Sequence, residues 1–231
     1  MRPLNANDFI YLLHGLKWTV ALSLSALLLG GLLAASFVGI RLLHSRALNS
    51  ALYAYVGLFQ GTPLLGQLLF FYFGLSIIGF QISAFVSACV ALSLYAAAFL
   101  SEIWRGAIES VPRPQWETSE SLGLGRLATL IYVVLPQALR SATPPTVGFL
   151  VQLIKDSSLA SVVGIVEMTR AAQIVNNSTF RSFTIFATIA VLYFLLCYPL
   201  ANLSRRLETR LDDVAYPCGG RPRAGHRSPR L

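Results

Sequence analysis

Two stretches of this chain hold side chains able to act on a partner or a ligand. Between Glu102 and Arg140 a charged, proline-marked segment carries Glu117 and Glu120 at i,i+3, which puts both carboxylates on one side of a short helix. Such a pair suits insertion into a basic groove on another protein, or else lies on a solvated connector. Further on, Lys155 and Asp156 stand with Ser157, Ser158 and Ser161 in the most polar stretch of an apolar region. Adjacent helical residues point about 100° apart, so Lys155 and Asp156 make a poor pair and meet different partners. Either this stretch is the solvated outer end of a span, or a helix unwound here lines a substrate path and offers backbone dipoles to a zwitterion. Gln60, Thr62 and Gln67 surround Pro63, which removes a backbone donor and bends its helix; the glutamines then face a central path or merely flank a structural kink. Glu167 and Arg170, also at i,i+3, form an outer-surface pair that orders a loop, or a contact for an extracytoplasmic protein.

Catalysis finds little support. The chain has no Gly-x-Ser-x-Gly, no His-Glu-x-x-His and no convergent acid pair, so an intramembrane enzyme using Asp156 or Glu102 lacks its second group. Its two lysines, Lys17 and Lys155, do not follow a glycine, so no phosphate-cradling Gly-x4-Gly-Lys loop exists and nucleotide energy must come from another chain. Cys89, Cys197 and Cys218 form no disulfide framework, and neither they nor His14 and His44 have metal-ligand spacing.

The elements that position these residues are membrane spans. With 55% hydrophobic residues, 12% charged residues and a mean hydropathy of +0.63, the chain holds far more apolar surface than a water-soluble fold of 231 residues covers. Trp18 to Ile40 is free of charge and as a helix reaches about 34 Å, enough to cross a hydrocarbon core of roughly 30 Å. It is also too long for a cleaved secretion signal. No charge occurs between Arg46 and Glu102, room for two spans joined by a turn near Ser76 to Ser83. A fourth span is predicted over 145–166, broken at Lys155 and Asp156, and a fifth over 182–204. Small residues at Gly30, Gly31, Ala34 and Ala35 and at Ala96 to Ala98 permit close helix approach.

Basic residues set the orientation, because Lys and Arg resist translocation. With the N-terminus outside, Arg41, Arg46, Arg105, Arg113, Arg126, Arg140 and the seven arginines after Ser204 all lie inside. The net charge of +8 is thus a topology signal, and no nucleic-acid partner is expected. Residues 1–211 form the membrane domain, with the loop over about 102–140; residues 212–231, rich in Pro, Gly and Arg, read as a disordered basic inner tail.

Within the loop, Ser101 is expected to cap a helix from Glu102 to about Ser110, which Pro112 and Pro114 stop. A second helix spans Trp116 to Leu122, ending where Gly123 and Gly125 can turn left-handed, and a third runs from near Leu127 to Leu135, where Pro136 interrupts it.

The segment WETSESLGLGRLATLIYVVLPQALR resembles the EAA loop of ABC importer permeases. That loop opens with Glu-Ala-Ala, has a glycine four positions after the last alanine, and closes with Ile-x-Leu-Pro ten beyond. Glu117, Thr118 and Ser119 stand for the opening, Gly123 for the glycine, and Val133, Leu135 and Pro136 for the close. Three further stretches are similar to the polar-amino-acid and opine importers of that group: Gln60-Gly61-Thr62-Pro63-Leu64-Leu65, Lys155-Asp156-Ser157-Ser158-Leu159-Ala160-Ser161, and Glu167-x-Thr169-Arg170-x-Ala172-Gln173. Gln60 departs from the group's arginine.

The resemblance implies an all-α, five-span type I importer permease of the bacterial cytoplasmic (inner) membrane. It implies a coupling helix that docks into a separate ATP-binding subunit through Glu117, Thr118, Ser119, Glu120, Gly123, Leu135 and Pro136. It also implies a second permease, identical or related, and an extracytoplasmic solute-binding protein, with no cofactor on this chain and ATP used by the partner. A passive pore without an ATPase is the competing expectation, and it leaves the helical loop without a purpose.

Overall fold

The computed structural model describes residues 3–41 and 45–215. Regular structure among them is entirely helical, as lipid requires: a helix satisfies its own backbone groups where no water can. Helix α1 (Ala6–Arg41) is followed by α2 (Arg46–Gly61) and by α3 (Leu64–Leu69), which passes through a π-helical turn at Phe70–Gly74 into α4 (Leu75–Ile77). The chain reverses at Gly79, φ +98°, inside the predicted turn, and the Ser83 hydroxyl caps α5 (Ala84–Glu109) by accepting from the Val86 N–H. Then come α6 (Arg113–Ser121), α7 (Arg126–Thr129), a second π-helical turn at Leu130–Val134, α8 (Leu135–Asp156), a 3-10 segment at Ser157–Val163, α9 (Met168–Thr179) and α10 (Ser182–Ala215). Four of these helical runs are long and apolar enough to cross a bilayer, and α2 with Leu64–Ile77 passes the same test as a bent pair, the form of a broken span or of a re-entrant loop.

Two small-residue stripes form the main seam. Leu22, Ala26, Gly30 and Ala34 recur every four residues on the buried side of α1 and meet Ala88, Leu92, Ala96 and Leu100 of α5. Gly31 and Ala35, beside them in sequence, lie off this contact. At the Arg41 end of this seam Glu102 of α5 accepts from Arg41 of α1 at 2.7 Å and from Arg105 at 2.6 Å, while Arg41 also lies over the Tyr53 ring of α2. Sequence reasoning gave Glu102 no role; it ties the ends of two spans together.

The second span bends by 102° at Gly61-Thr62-Pro63. Pro63 has no N–H to give the Phe59 carbonyl, and the Gln67 side-chain amide takes that place, donating to Phe59 O at 2.9 Å and to the Thr62 hydroxyl at 2.9 Å. A proline kink is thus held by a substitute donor.

Several predicted boundaries are corrected. Ser101 does not cap a helix: it is buried within α5, its hydroxyl donating to Ala98 O at 3.0 Å, and the span runs on to Glu109. Pro136 does not interrupt the chain either. The missing N–H would have met Tyr132 O, and the π-helical turn just before it, with Leu135 N–H donating to Leu130 O, absorbs the register change so that one helical run extends over Arg126–Val163. That run replaces the fourth span predicted from Pro145, and it tightens to 3-10 after Asp156 instead of breaking at Lys155. Finally, α10 continues to Ala215, past the Leu211 boundary. The rest of the predicted tail, Cys218 and His44 lie outside the described residues.

Candidate functional site

The loop between α5 and α8 is built around α6. Pro112 takes the N-cap position with extended backbone and Pro114 lies in the first turn, so these prolines start α6 as much as they end α5. Its end is a Schellman motif: Gly123 at φ +79° donates to Glu120 O at 2.9 Å, and Leu124 N–H reaches Ser119 O at 3.1 Å. Gly125, at φ −66°, is not left-handed and instead opens α7.

One side of α6 is seated and the other is free. Trp116 packs with Ala107 and Val111 of the α5 end and with Val134 and Ala138 around the α7–α8 junction. Ser119 is buried and donates to Gln115 O, while Gln137 of α8 donates to the Gln115 side chain at 2.5 Å. Glu117, Thr118 and Glu120 face outward, and neither carboxylate has an ion pair among the described residues. Leu135 and Pro136 are exposed as well. A displacement of α6 therefore presses on the adjoining ends of α5 and α8 through Trp116.

The polar residues at membrane depth do not converge. Thr62 and Gln67 line a cavity of about 540 Å³ at the bend, with Phe59, Pro63 and Phe70, whereas Lys155 lines a separate cavity of about 320 Å³ against Tyr193, Phe194 and Cys197 of α10. Gln67 is buried and braces the kink, so its donors are already used; Thr62 bonds back to Leu58 O, and Gln60 is exposed with its amide at 3.5 Å from Ala98 O. Ser157 is likewise buried and committed to Ile154 O, and Ser158 is half-buried. Asp156 and Gln67 each keep an unpaired oxygen: Gln67 Oε1 is buried without a partner, while Asp156 Oδ1 accepts from Gln152 at 2.9 Å and its Oδ2 is buried without a hydrogen-bond partner, with Tyr95 of α5 beside it. Lys155 and Asp156 thus face different helices, as their angular separation requires.

Glu167 and Arg170 are not a surface pair. Glu167 is 0% exposed; its carboxylate caps α9 by accepting from the Thr169 and Arg170 N–H groups at 2.8 Å each, and it also accepts from the Tyr193 hydroxyl at 3.2 Å. The Arg170 guanidinium turns instead to Gln173 at 3.2 Å. A buried carboxylate cannot touch a docking protein, so that expectation fails for Glu167 and survives for Arg170 alone. Burial pushes the Glu167 carboxyl upward, against the backbone donors that pull it down. A raised folded value means that the folded state favours the protonated form, so stability from this group is greatest below about pH 4 and declines as pH rises through the folded value. The melting temperature of the detergent-solubilised protein should fall with pH across that window, and Glu167→Gln should flatten the dependence. Glu167→Ala, losing the cap, should cost about 1 kcal/mol or more at all pH values.

Residues 26–213 match the family described as "Binding-protein-dependent transport system inner membrane component". The probable amino-acid ABC transporter permease protein YckA of Bacillus subtilis (strain 168) is 32% identical over 203 residues, covering 88% of this chain and 90% of that one. The glutamine transport system permease protein GlnP of Escherichia coli (strain K12) is 34% identical over 203 residues, 87% and 92% of the two chains. A solved amino acid ABC transporter with histidines superposes with a TM-score of 0.83 at 29% identity, over 90% of this chain and 100% of that one. The MetNI methionine ABC transporter, at 24% identity and a TM-score of 0.71, shows the fold alone over 88% of this chain and 97% of that one. The all-α, type I importer permease fold and the absence of an enzymatic role on this chain follow from these matches. The chain belongs to the family of inner-membrane components of binding-protein-dependent transport systems.

Proposed function

We propose that this chain forms part of the membrane path for a polar amino acid or opine in an ATP-driven importer, with ATP hydrolysed on separate subunits that receive α6. The observation that carries the reading is α6 itself, seated on the span ends through Trp116 while Glu117 and Glu120 point away from the protein. The N-terminus lies outside and the C-terminus inside, since that placement keeps the loop arginines in the cytosol. A second permease, identical or related, completes the path, and a solute-binding protein delivers cargo from outside. Residues 1–211 carry these contacts.

Within the path, Asp156 Oδ2 supplies the acceptor for the ammonium group of an amino acid, with Tyr95 beside it; Gln60 and Lys155, on other surfaces, are secondary candidates. Asp156→Asn should raise the KM for uptake about tenfold or more, the scale for losing a charge-assisted hydrogen bond, with a smaller change in the maximal rate. An unchanged KM in proteoliposomes removes Asp156 from the path.

A further inference from the structure

The end of the protein opposite α6 has a charge distribution of its own. α8 and the 3-10 segment separate the loop from α9 by about 33 Å or more, one bilayer crossing, so α9 lies outside if α6 lies inside. α9 is not a span. Met168, Ala171, Ala172 and Val175 bury one face against α1 and α10, and the opposite face presents Arg170, Ile174, Asn177 and Ser178 at spacings of three and four, with Arg181 just past the helix. Lys17 is exposed on α1 at this level, where Thr19 accepts from the Met168 N–H. The carboxylates of this end are hidden: Asp8 is 5% exposed and Glu167 is 0% exposed. Every exposed charge there among the described residues is therefore a cation, and neither Arg170 nor Arg181 has an ion pair.

We infer that the free face of α9, with Arg170 and Arg181, is the docking surface for the soluble solute-binding protein, and that the docking face of this partner is acidic. The matched family is binding-protein-dependent by its description, which requires a protein partner at this end, and the buried acids leave a surface complementary to Asp and Glu. This rests on the importer reading above. The site is mechanically connected: the Glu167 cap, Thr19 and Tyr193 fasten α9 to α1 and α10, so force from docking passes into two spans.

The test uses the permease assembled with its ATP-binding subunits in phosphatidylcholine proteoliposomes, with the binding protein that stimulates its ATP hydrolysis added from outside. The half-stimulating concentration should rise when salt is raised from about 50 to about 300 mM, and Arg170→Glu with Arg181→Glu should raise it about tenfold and abolish most of that salt dependence. Arg170→Lys with Arg181→Lys should stay near wild type. Should the reversed variant fail to insert, Arg170→Gln with Arg181→Gln serves instead, with the same direction and a smaller shift. Wild-type stimulation with no shift in either variant overturns the assignment of this surface. A shift seen only when phosphatidylglycerol is present overturns it too, by assigning the arginines to lipid headgroups. If no binding protein stimulates the wild-type complex, the importer reading itself fails.

Discussion

Replacing Gly30 by valine is expected to dismantle the α1–α5 seam and with it the folded protein. A Cβ at this position would sit 2.7 Å from Ala96 Cβ and 2.7 Å from the Ser93 carbonyl oxygen. The obstacle is backbone and a methyl on a helix packed along its whole length, so no side chain can rotate away. Overpacking in a tight core costs about 1–3 kcal/mol where neighbours can give, and the upper end or beyond applies here. Gly31→Ala, which meets nothing nearer than the Trp104 ring at 3.7 Å, and Gly39→Ala, which meets nothing within 4 Å, should be tolerated. Size-exclusion profiles and thermal melts in detergent separate these outcomes. A monodisperse Gly30→Val protein melting with wild type would contradict the packing described.

The second large effect concerns α6. Gly123→Val meets no atom within 4 Å, so space is not the obstacle; the left-handed φ of +79° is, at about 1–2 kcal/mol for a residue with a Cβ and more for a β-branched one. The valine pulls φ negative, the Gly123 and Leu124 donors leave Glu120 O and Ser119 O, and α6 loses its end. Because the spans are held elsewhere, the variant should insert and melt near wild type yet lose ATP-driven uptake by more than tenfold. Glu117→Lys with Glu120→Lys, which leaves α6 folded and reverses its exposed charge, should give the same loss. Uptake and melting measured on the same preparations check both variants, and wild-type uptake by either one would detach α6 from transport.

What the sequence disclosed depended on range. The turn at Gly79, the α6 helix ended by Gly123 and the span count follow from local rules of charge, periodicity and glycine conformation. The π-helical turn before Pro136 does not, because a proline reads as a break unless neighbouring carbonyls are known to shift register. Gln67 looked like a path residue for the same reason: its partners are the carbonyls that Pro63 leaves unpaired, a contact that exists only once the bend exists. Glu167 and Arg170 at i,i+3 matched a surface ion pair, but the carboxylate is the helix cap, and capping wins because two unpaired backbone donors sit nearer than any guanidinium. Trp116 carries no motif signal, and its role emerges only when the ends of α5 and α8 are brought beside it. The fold was therefore far more legible than the site.

Vectorial uptake in sealed proteoliposomes with the solute-binding protein added outside, with and without the ATP-binding subunits and with ATP enclosed on their side, tests the central proposal most directly. The coupling described here predicts accumulation against a gradient only when those subunits and ATP are both present, and its loss when Glu117 and Glu120 are reversed in charge. Accumulation by the permease chain alone, or uptake indifferent to that reversal, would contradict it.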